Sequence, residues 1–262
     1  MMRLTRYFIS LVLLIIGLTA LVTVIQSKIK IQAAEPVKTF DVRIFFGYKD
    51  ARPARFVADR YEMAIFLQKL TEPCESQRQD CGFNKSESNE DGETETPVFY
   101  KIIKNKRGQK MKVSLRIFTS SVGADDNDNR KNPFQHWRSE YIRDQFIQAL
   151  KLANVVFYNG HSRAGGGPDF SVPLLTENNH VHYEDYQQKK SGLKLIYATL
   201  KQNPQSSLQQ LGLYSCRSDQ LFRKKVEAAR TGIQVISSSQ LLYFSDAFND
   251  SLDQLSQILG NI

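Results

Sequence analysis

Three short, continuous runs of apolar residues constrain the fold of this chain more than any other feature of its sequence. The runs are NVVFYN at residues 154–159, LGLY at 211–214 and IQVI at 233–236. Strands covered by helices on both faces have this unbroken pattern, whereas half-exposed strands alternate apolar and polar residues. The sequence therefore predicts a three-layer α/β sandwich around a mainly parallel sheet.

Segments of helical periodicity alternate with apolar runs between residues 39 and 262, which we expect to form one domain. The predicted strands are 42–47, 98–104, 111–122, 154–159, 211–214 and 233–236, with a hairpin at 105–108. The predicted helices are 56–70, 133–153, 192–201, 219–230 and 245–259. One side of the helix at 133–153 is predicted to carry Phe134, Trp137, Tyr141, Ile142, Phe146 and Leu150.

Residues 72–96 interrupt this alternation with an acidic segment that is nearly free of apolar residues, which predicts an exposed insertion. Cys74 and Cys81 lie in this segment and bracket a short polar loop. They are interpreted either as a small disulfide or as two free surface cysteines, with Cys216 left as an odd thiol. The chain has no CxxC pair, so the sequence does not indicate a structural zinc site.

The first thirty residues predict a membrane segment, followed by a linker at 31–38. Residues 8–25 form an uncharged stretch of 18 residues, which as a helix spans roughly 27 Å, close to the thickness of a hydrocarbon core. Arg3 and Arg6 precede it and favour an N-terminus on the inner side, with the domain on the extracytoplasmic or periplasmic side. We expect a single-pass transmembrane helix, with a signal peptide that is cleaved to release a secreted domain as the alternative.

The net charge of +8 does not by itself indicate a nucleic-acid partner. Lys and Arg residues number 35 against 27 Asp and Glu, and no long basic run is present. A diffuse excess of this kind is typical of a solvated surface, so we expect no nucleic-acid face. No glycine-rich phosphate loop precedes a helix, so nucleotide binding is not predicted either.

The carboxyl ends of the predicted strands indicate where a site should lie, because ligands of open α/β sheets bind beyond those ends. His161 and Cys216 follow two successive apolar strands. Neighbouring strands lie roughly 4.8 Å apart, so the two side chains can approach each other. A thiol beside an imidazole is the minimum for nucleophilic catalysis, although each residue alone is equally typical of a structural role.

These two segments resemble the caspase–gingipain–clostripain clan of cysteine peptidases. The signature of that clan is a hydrophobic block followed by His-Gly and a second block followed by Ala/Ser-Cys. Here the blocks read VVFYNGHS and LGLYSC, and Arg217 follows the cysteine as in the caspase Ala-Cys-Arg. The resemblance implies a caspase-like fold from about residue 42 onward. It also implies that Cys216 is the nucleophile and that His161 protonates the leaving amine.

The resemblance further implies an oxyanion hole formed by the backbone amides of Ser162 and Cys216. Ser162 stands where the clan has glycine, and Tyr214 stands where caspases have the glutamine that helps to bind aspartate. Caspase-type aspartate specificity is therefore not expected. The candidate substrate-pocket residues are Asp169, Tyr214, Arg217 and Ser238. Asp169 follows a Gly-Gly-Gly-Pro loop and is interpreted either as a contact for a basic side chain or as part of a tight loop.

Three rival sites are weaker. Residues 160–164 match the serine-hydrolase elbow only faintly, because the glycine run that follows cannot begin a helix. His180 and His182 lack a third metal ligand, so a metal site is not predicted there. Residues 125–129 are rich in oxygen ligands but lack the glycine and glutamate of an EF-hand, which leaves calcium as a weak alternative to no cofactor.

The sequence thus favours a membrane-anchored extracytoplasmic hydrolase, a cysteine endopeptidase acting on peptides or proteins through Cys216 and His161. A caspase-like binding or scaffolding domain without catalytic activity is the alternative. A charge-driven binder of anionic surfaces is a third and weaker hypothesis.

Overall fold

The fold is described from a computed structural model that defines residues 37–51, 55–75, 78–86 and 96–262. These residues form a seven-stranded sheet in the order β4-β5-β6-β1-β7-β8-β9. The strands are β1 (Lys38–Phe46), β4 (Asn84–Lys85), β5 (Val98–Lys104), β6 (Lys110–Thr119), β7 (Val155–Asn159), β8 (Gln210–Tyr214) and β9 (Gln234–Ser237). β6, β1, β7, β8 and β9 run parallel to one another. At one edge, β5 pairs antiparallel with β6, and β4 pairs antiparallel with β5. Two short strands, β2 (Asp50–Ala51) and β3 (Phe56–Val57), form a separate antiparallel pair.

Helices cover both faces of this sheet. They are α1 (Asp59–Thr71), α2 (Asp126–Lys131), α3 (Pro133–Leu152), α4 (Tyr183–Lys189), α5 (Ser191–Gln202), α6 (Lys224–Ala229) and α7 (Phe244–Asn261). The helix predicted at 219–230 begins as a π-helical segment, Asp219–Arg223, and continues without a break into α6. α1 and α7 contribute to the apolar core on one face, and α3, α5 and α6 contribute to the core on the other.

Alternate residues of β1 supply both cores, as a strand buried on both faces requires. Ile44 and Phe46 face the α1 and α7 side, while Phe45 faces the α3 side. The Phe45 ring stacks on Phe118 at 4.6 Å between centroids and meets Phe146 of α3 edge-on at 5.2 Å. The prediction of a mainly parallel sheet covered by helices on both faces, in a three-layer α/β arrangement, is confirmed.

The buried face of α3 differs from the predicted one at its first turns. Phe134 and Trp137 are 69% and 54% exposed, whereas Gln135 and Ser139 are buried. These turns lie over the polar segment that follows β6, where the Gln135 side chain accepts a hydrogen bond from the amide of Val122. Polar side chains thus satisfy buried backbone groups at a place where helical spacing alone predicts apolar packing.

The prediction of an exposed insertion is wrong for Asp80, Cys81 and Phe83, which are buried, whereas Arg78, Asn84 and Lys85 are exposed. Phe83 is 3% exposed, and Asn84–Lys85 form the edge strand β4 against β5. Cys74 and Cys81 form a disulfide, and the Phe83 amide donates to the carbonyl of Leu70 at the end of α1. Sparse apolar content hid this contact, because one buried phenylalanine, backbone pairing and the disulfide hold the segment in place of an apolar face. Residues 76–77 and 87–95 lie outside the described residues.

The predicted membrane segment at 8–25 and most of the predicted linker also lie outside the described residues. Within the part of the chain that the structure describes, no helix is both long enough and apolar enough to cross a membrane.

Two substitutions on α3 test the assignment of its faces. Phe146→Ala removes a fully buried ring and should lower the free energy of unfolding by about 3–5 kcal/mol. Phe134→Ala on the same helix removes an exposed ring and should change it by no more than about 0.5 kcal/mol. Urea unfolding of both variants measures the difference, and equal losses would contradict the faces described.

Candidate active site

The carboxyl ends of β1, β7 and β8 lie side by side at one edge of the sheet. Asn159, the last residue of β7, pairs with Phe46 of β1 on one side and with Tyr214 of β8 on the other. His161 and Cys216 each follow that last pair by two residues. They therefore follow adjacent parallel strands at the same height on the same edge of the sheet, so their backbones begin side by side.

The imidazole of His161 is held by the residues that follow β1. Its Nε2 atom lies 3.2 Å from the backbone oxygen of Asp50 and 3.6 Å from the Oδ1 atom of Asp50. The ring also meets Phe244 edge-on, at 5.7 Å between centroids. A carbonyl oxygen only accepts hydrogen bonds, so Nε2 carries the proton and Nδ1 remains the basic nitrogen.

His161 is neutral at physiological pH. Burial and the nearby positive charge of Arg163 lower its pKa to about 4, although Asp50 opposes the shift. A neutral imidazole has a nitrogen lone pair that can accept a proton, and the low pKa makes it a weaker base than an ordinary histidine. Between about pH 6.5 and about 4 the unfolded chain takes up this proton and the folded chain does not, so the contribution of His161 to stability falls as the pH falls through that window.

A buried guanidinium ties together the segments that follow β1 and β7. The Arg163 side chain is 1% exposed; its Nη2 atom lies 2.7 Å from Asp50 Oδ1 and its Nε atom 3.0 Å from Asp169 Oδ2. Burial alone would raise the pKa of Asp50, but the charge and hydrogen bond of Arg163 hold it below the ordinary value. Asp169, predicted to contact a basic side chain of a substrate, thus binds a basic side chain of its own chain.

The glycine loop after β7 fits closely against α4. A Cβ atom on Gly166 would lie 2.6 Å from the carbonyl oxygen of Tyr186, and one on Gly167 would lie 2.7 Å from the carbonyl oxygen of His161. Larger residues therefore cannot occupy these positions without moving the backbone. The hydroxyl of Tyr186 donates to Asp169 Oδ2 at 3.1 Å, which completes the attachment of the loop.

Cys216 lies under the loop at 238–243, which follows β9. Cys216 is half-buried, and its Sγ atom lies 3.5 Å from the carbonyl oxygen of Leu242. The next amide along the chain, that of Arg217, donates to the carbonyl of Gln240 at 2.8 Å. The loop that covers the thiol therefore leads directly into Phe244, the residue that contacts His161.

The two amides predicted to form an oxyanion hole are those of Ser162 and Cys216. Neither donates a hydrogen bond to any other described residue. Buried or half-buried backbone amides are ordinarily paired, so an unpaired amide at a site edge is available to a ligand.

The three remaining pocket candidates do not lie together. Arg217 is exposed and Ser238 is half-buried, and both belong to the segments around Cys216. Tyr214 lies in the core instead: it is 4% exposed, and its ring meets Phe157 edge-on at 5.3 Å. Burial raises the pKa of its phenol well above the ordinary value. Successive side chains of a strand point to opposite faces of the sheet, and that of Tyr214 points into the core on the side of α1 and α7. Its place two residues before Cys216 in the sequence does not reveal this.

Sequence patterns assigned no role to Asp50 and Arg163, which act on His161, or to the buried pair of Lys49 and Glu62. Lys49 is 1% exposed and forms an ion pair with Glu62 of α1. Its Nζ atom lies 5.1 Å from the centroid of the Phe244 ring. The sequence did contain a signal for Lys49 and Asp50: both are charged and closely follow an apolar strand, so they lie at the carboxyl edge of the sheet, where ligands bind.

The oxygen-rich and histidine-rich segments serve as helix caps in this structure. Asp125 accepts from the amides of Asn127 and Asp128 at the start of α2, and His182 Nδ1 accepts from the amide of Asp185 at the start of α4. Within the described residues, no group of three or more His, Cys, Asp or Glu side chains is placed to hold a metal ion.

No protein-family model matches this chain, and neither does any of the curated proteins with which it was compared. The function is therefore inferred from the geometry of the site.

The neutral state of His161 is open to direct measurement. The Cε1–H resonance of His161, assigned by its loss in His161→Gln, should titrate in the full-length chain with a midpoint near pH 4. In denaturant the same resonance should titrate at about 6.5, the value of an unperturbed imidazole. A folded-state midpoint near 6.5 would show that burial and Arg163 do not act on the ring as described.

The guanidinium of Arg163 can be tested by removing its charge while keeping much of its volume. Arg163→Met leaves two buried carboxylates without their cation and should lower the free energy of unfolding by about 3–5 kcal/mol. Arg143→Met removes a half-exposed partner of Glu140 and should cost about 0–1 kcal/mol. Denaturant unfolding compares the two variants, and a loss at Arg163 as small as that at Arg143 would contradict the structural role given to the buried cation.

Proposed function

We propose that this chain is a cysteine peptidase with a caspase-like fold, in which Cys216 attacks a peptide bond and His161 moves the proton. The observation that carries the proposal is the departure of both residues from adjacent parallel strands, two positions beyond the same strand pair. The unpaired amides of Ser162 and Cys216 support it, because they supply donors for an oxyanion.

The reaction follows from the protonation states. Nδ1 of the neutral His161 takes the proton of the Cys216 thiol as the sulfur attacks the carbonyl carbon. The carbonyl oxygen becomes an oxyanion that the amides of Ser162 and Cys216 stabilise. The imidazolium then gives its proton to the amine nitrogen, the C–N bond breaks, and an acyl-enzyme remains. Water, deprotonated by His161, hydrolyses that thioester and restores the thiol.

The low pKa of His161 suits the step in which the imidazolium protonates the leaving amine. An imidazolium with a pKa of about 4 is a stronger acid than an ordinary imidazolium, so it transfers its proton readily to the leaving amine. The same property means that the resting imidazole is neutral and not an imidazolium. Tyr214 lies in the core, so the proposed peptidase lacks a side chain for aspartate at that position.

We also propose that residues 8–25 anchor the chain in a membrane as one transmembrane helix, with the domain on the extracytoplasmic side. The uncharged stretch of 18 residues supports the anchor. The disulfide between Cys74 and Cys81 supports the side, because disulfides persist in oxidising compartments.

Two substitutions test the peptidase. In the full-length chain, Cys216→Ala should abolish release of fluorescent fragments from labelled casein, because the nucleophile is gone. His161→Gln should lower the rate by about 10²- to 10⁴-fold, the usual contribution of a general base. His136→Gln, at an exposed histidine of α3, is the matched control and should keep the full rate.

The alternative of a binding domain without catalytic activity predicts a different pattern. Under it, casein is not cleaved by the unsubstituted chain, and Cys216 reacts with iodoacetamide no faster than in His161→Gln. Cleavage that persists in Cys216→Ala would equally contradict the proposal.

A further inference from the structure

An apolar cavity of about 330 Å³ opens beside the candidate active site, between the first turns of α1 and α7. Its walls are mainly carbon atoms of aromatic and aliphatic side chains, from Phe56, Ala58, Tyr61, Ile65, Phe244 and Phe248. Phe56 and Tyr61 are 42% and 62% exposed. Large aromatic side chains around a concave apolar space are typical of a surface that binds an apolar group.

The cavity shares a side chain with the proposed catalytic pair. The Phe244 ring forms one wall and also meets the imidazole of His161 edge-on at 5.7 Å. Two residues earlier, the carbonyl of Leu242 lies 3.5 Å from the Sγ atom of Cys216. A side chain in the cavity would therefore lie one ring away from the imidazole proposed to move the proton.

The charges around the cavity decide which side chain fits. Among the described residues that line it, the one charged group is Glu62. Glu62 is buried and already forms an ion pair with Lys49, so the pair is neutral as a whole. A substrate aspartate would lose its hydration there and meet no positive charge, and a lysine would meet only a carboxylate that is already paired with Lys49. A large apolar side chain loses no such hydration and gains from leaving water.

We propose that this cavity binds a bulky apolar side chain of the peptide substrate, next to the bond that Cys216 attacks. The inference rests on the proposed function and adds the substrate class: peptides with an aromatic or large aliphatic residue at that position. Burial of one such side chain corresponds to about a 10- to 100-fold preference over alanine.

The test measures binding separately from cleavage. The full-length Cys216→Ala variant is titrated with acetylated and amidated peptides Ala-Ala-X-Ala-Ala in which X is Phe, Ala, Asp or Lys. The Phe peptide should bind about 10- to 100-fold more tightly than the Ala peptide, and the Asp and Lys peptides no more tightly than the Ala peptide.

A second substitution assigns the preference to the cavity. Ile65→Trp fills it from α1 and should remove the preference for Phe, while Ile102→Trp, at a 51% exposed position on β5, should leave the preference intact. Ser245→Trp fills the cavity from α7 and replaces Ile65→Trp if that variant does not fold. Equal affinities for all four peptides, or a preference for Phe that survives filling of the cavity in a folded variant, would overturn the inference.

The outcomes for the two proposals are distinct. A preference for Phe without cleavage by the unsubstituted chain supports the cavity and overturns the peptidase. Cleavage without the preference overturns the cavity alone. Dimerisation in sedimentation experiments that Ile65→Trp abolishes would assign the cavity to a second copy of the chain and overturn the inference.

Discussion

The site depends on one buried cation. Arg163 binds a carboxylate from the segment after β1 and another from the loop after β7, and so fixes these two segments relative to each other. The backbone oxygen of Asp50, fixed in this way, lies 3.2 Å from His161 Nε2. The orientation of the imidazole thus follows from an ion pair that the imidazole itself does not form. The same cation helps to keep the ring neutral.

Buried charge is concentrated at this edge of the sheet. Besides Arg163, the pair of Lys49 and Glu62 is buried there, and Lys49 faces the Phe244 ring. Burying ions costs free energy that their mutual attraction recovers only with good geometry, so such pairs are weak evidence for stability. Here Arg163 acts on an imidazole, and the pair of Lys49 and Glu62 adjoins an apolar cavity. The backbone oxygen of Asp50 fixes the tautomer of the proposed base, and Lys49 balances the charge of Glu62 at the cavity.

The general fold could be predicted from the sequence because unbroken apolar runs such as 154–159 are typical of strands covered by helices on both faces. The same pattern placed His161 and Cys216 at strand ends. It could not show that Arg163 binds Asp50, since that pairing joins residues 113 positions apart and has no local pattern. Exposure was predicted wrongly at Phe134 and Phe83, because it depends on what lies opposite a residue in the folded chain. A hydrophobic period of two or 3.6 residues shows which face of a strand or helix is apolar, but it does not show which segment packs against that face.

The central claim is that His161 and the amides at the strand ends act on a group bound to the sulfur of Cys216. A crystal structure of the chain treated with a peptide aldehyde ending in phenylalanine tests it directly. We expect a hemithioacetal at Sγ, its oxygen roughly 2.7–3.1 Å from the amides of Ser162 and Cys216, and His161 Nδ1 within hydrogen-bond reach. An unmodified sulfur, or an adduct whose oxygen and imidazole lie apart from these groups, would contradict the claim.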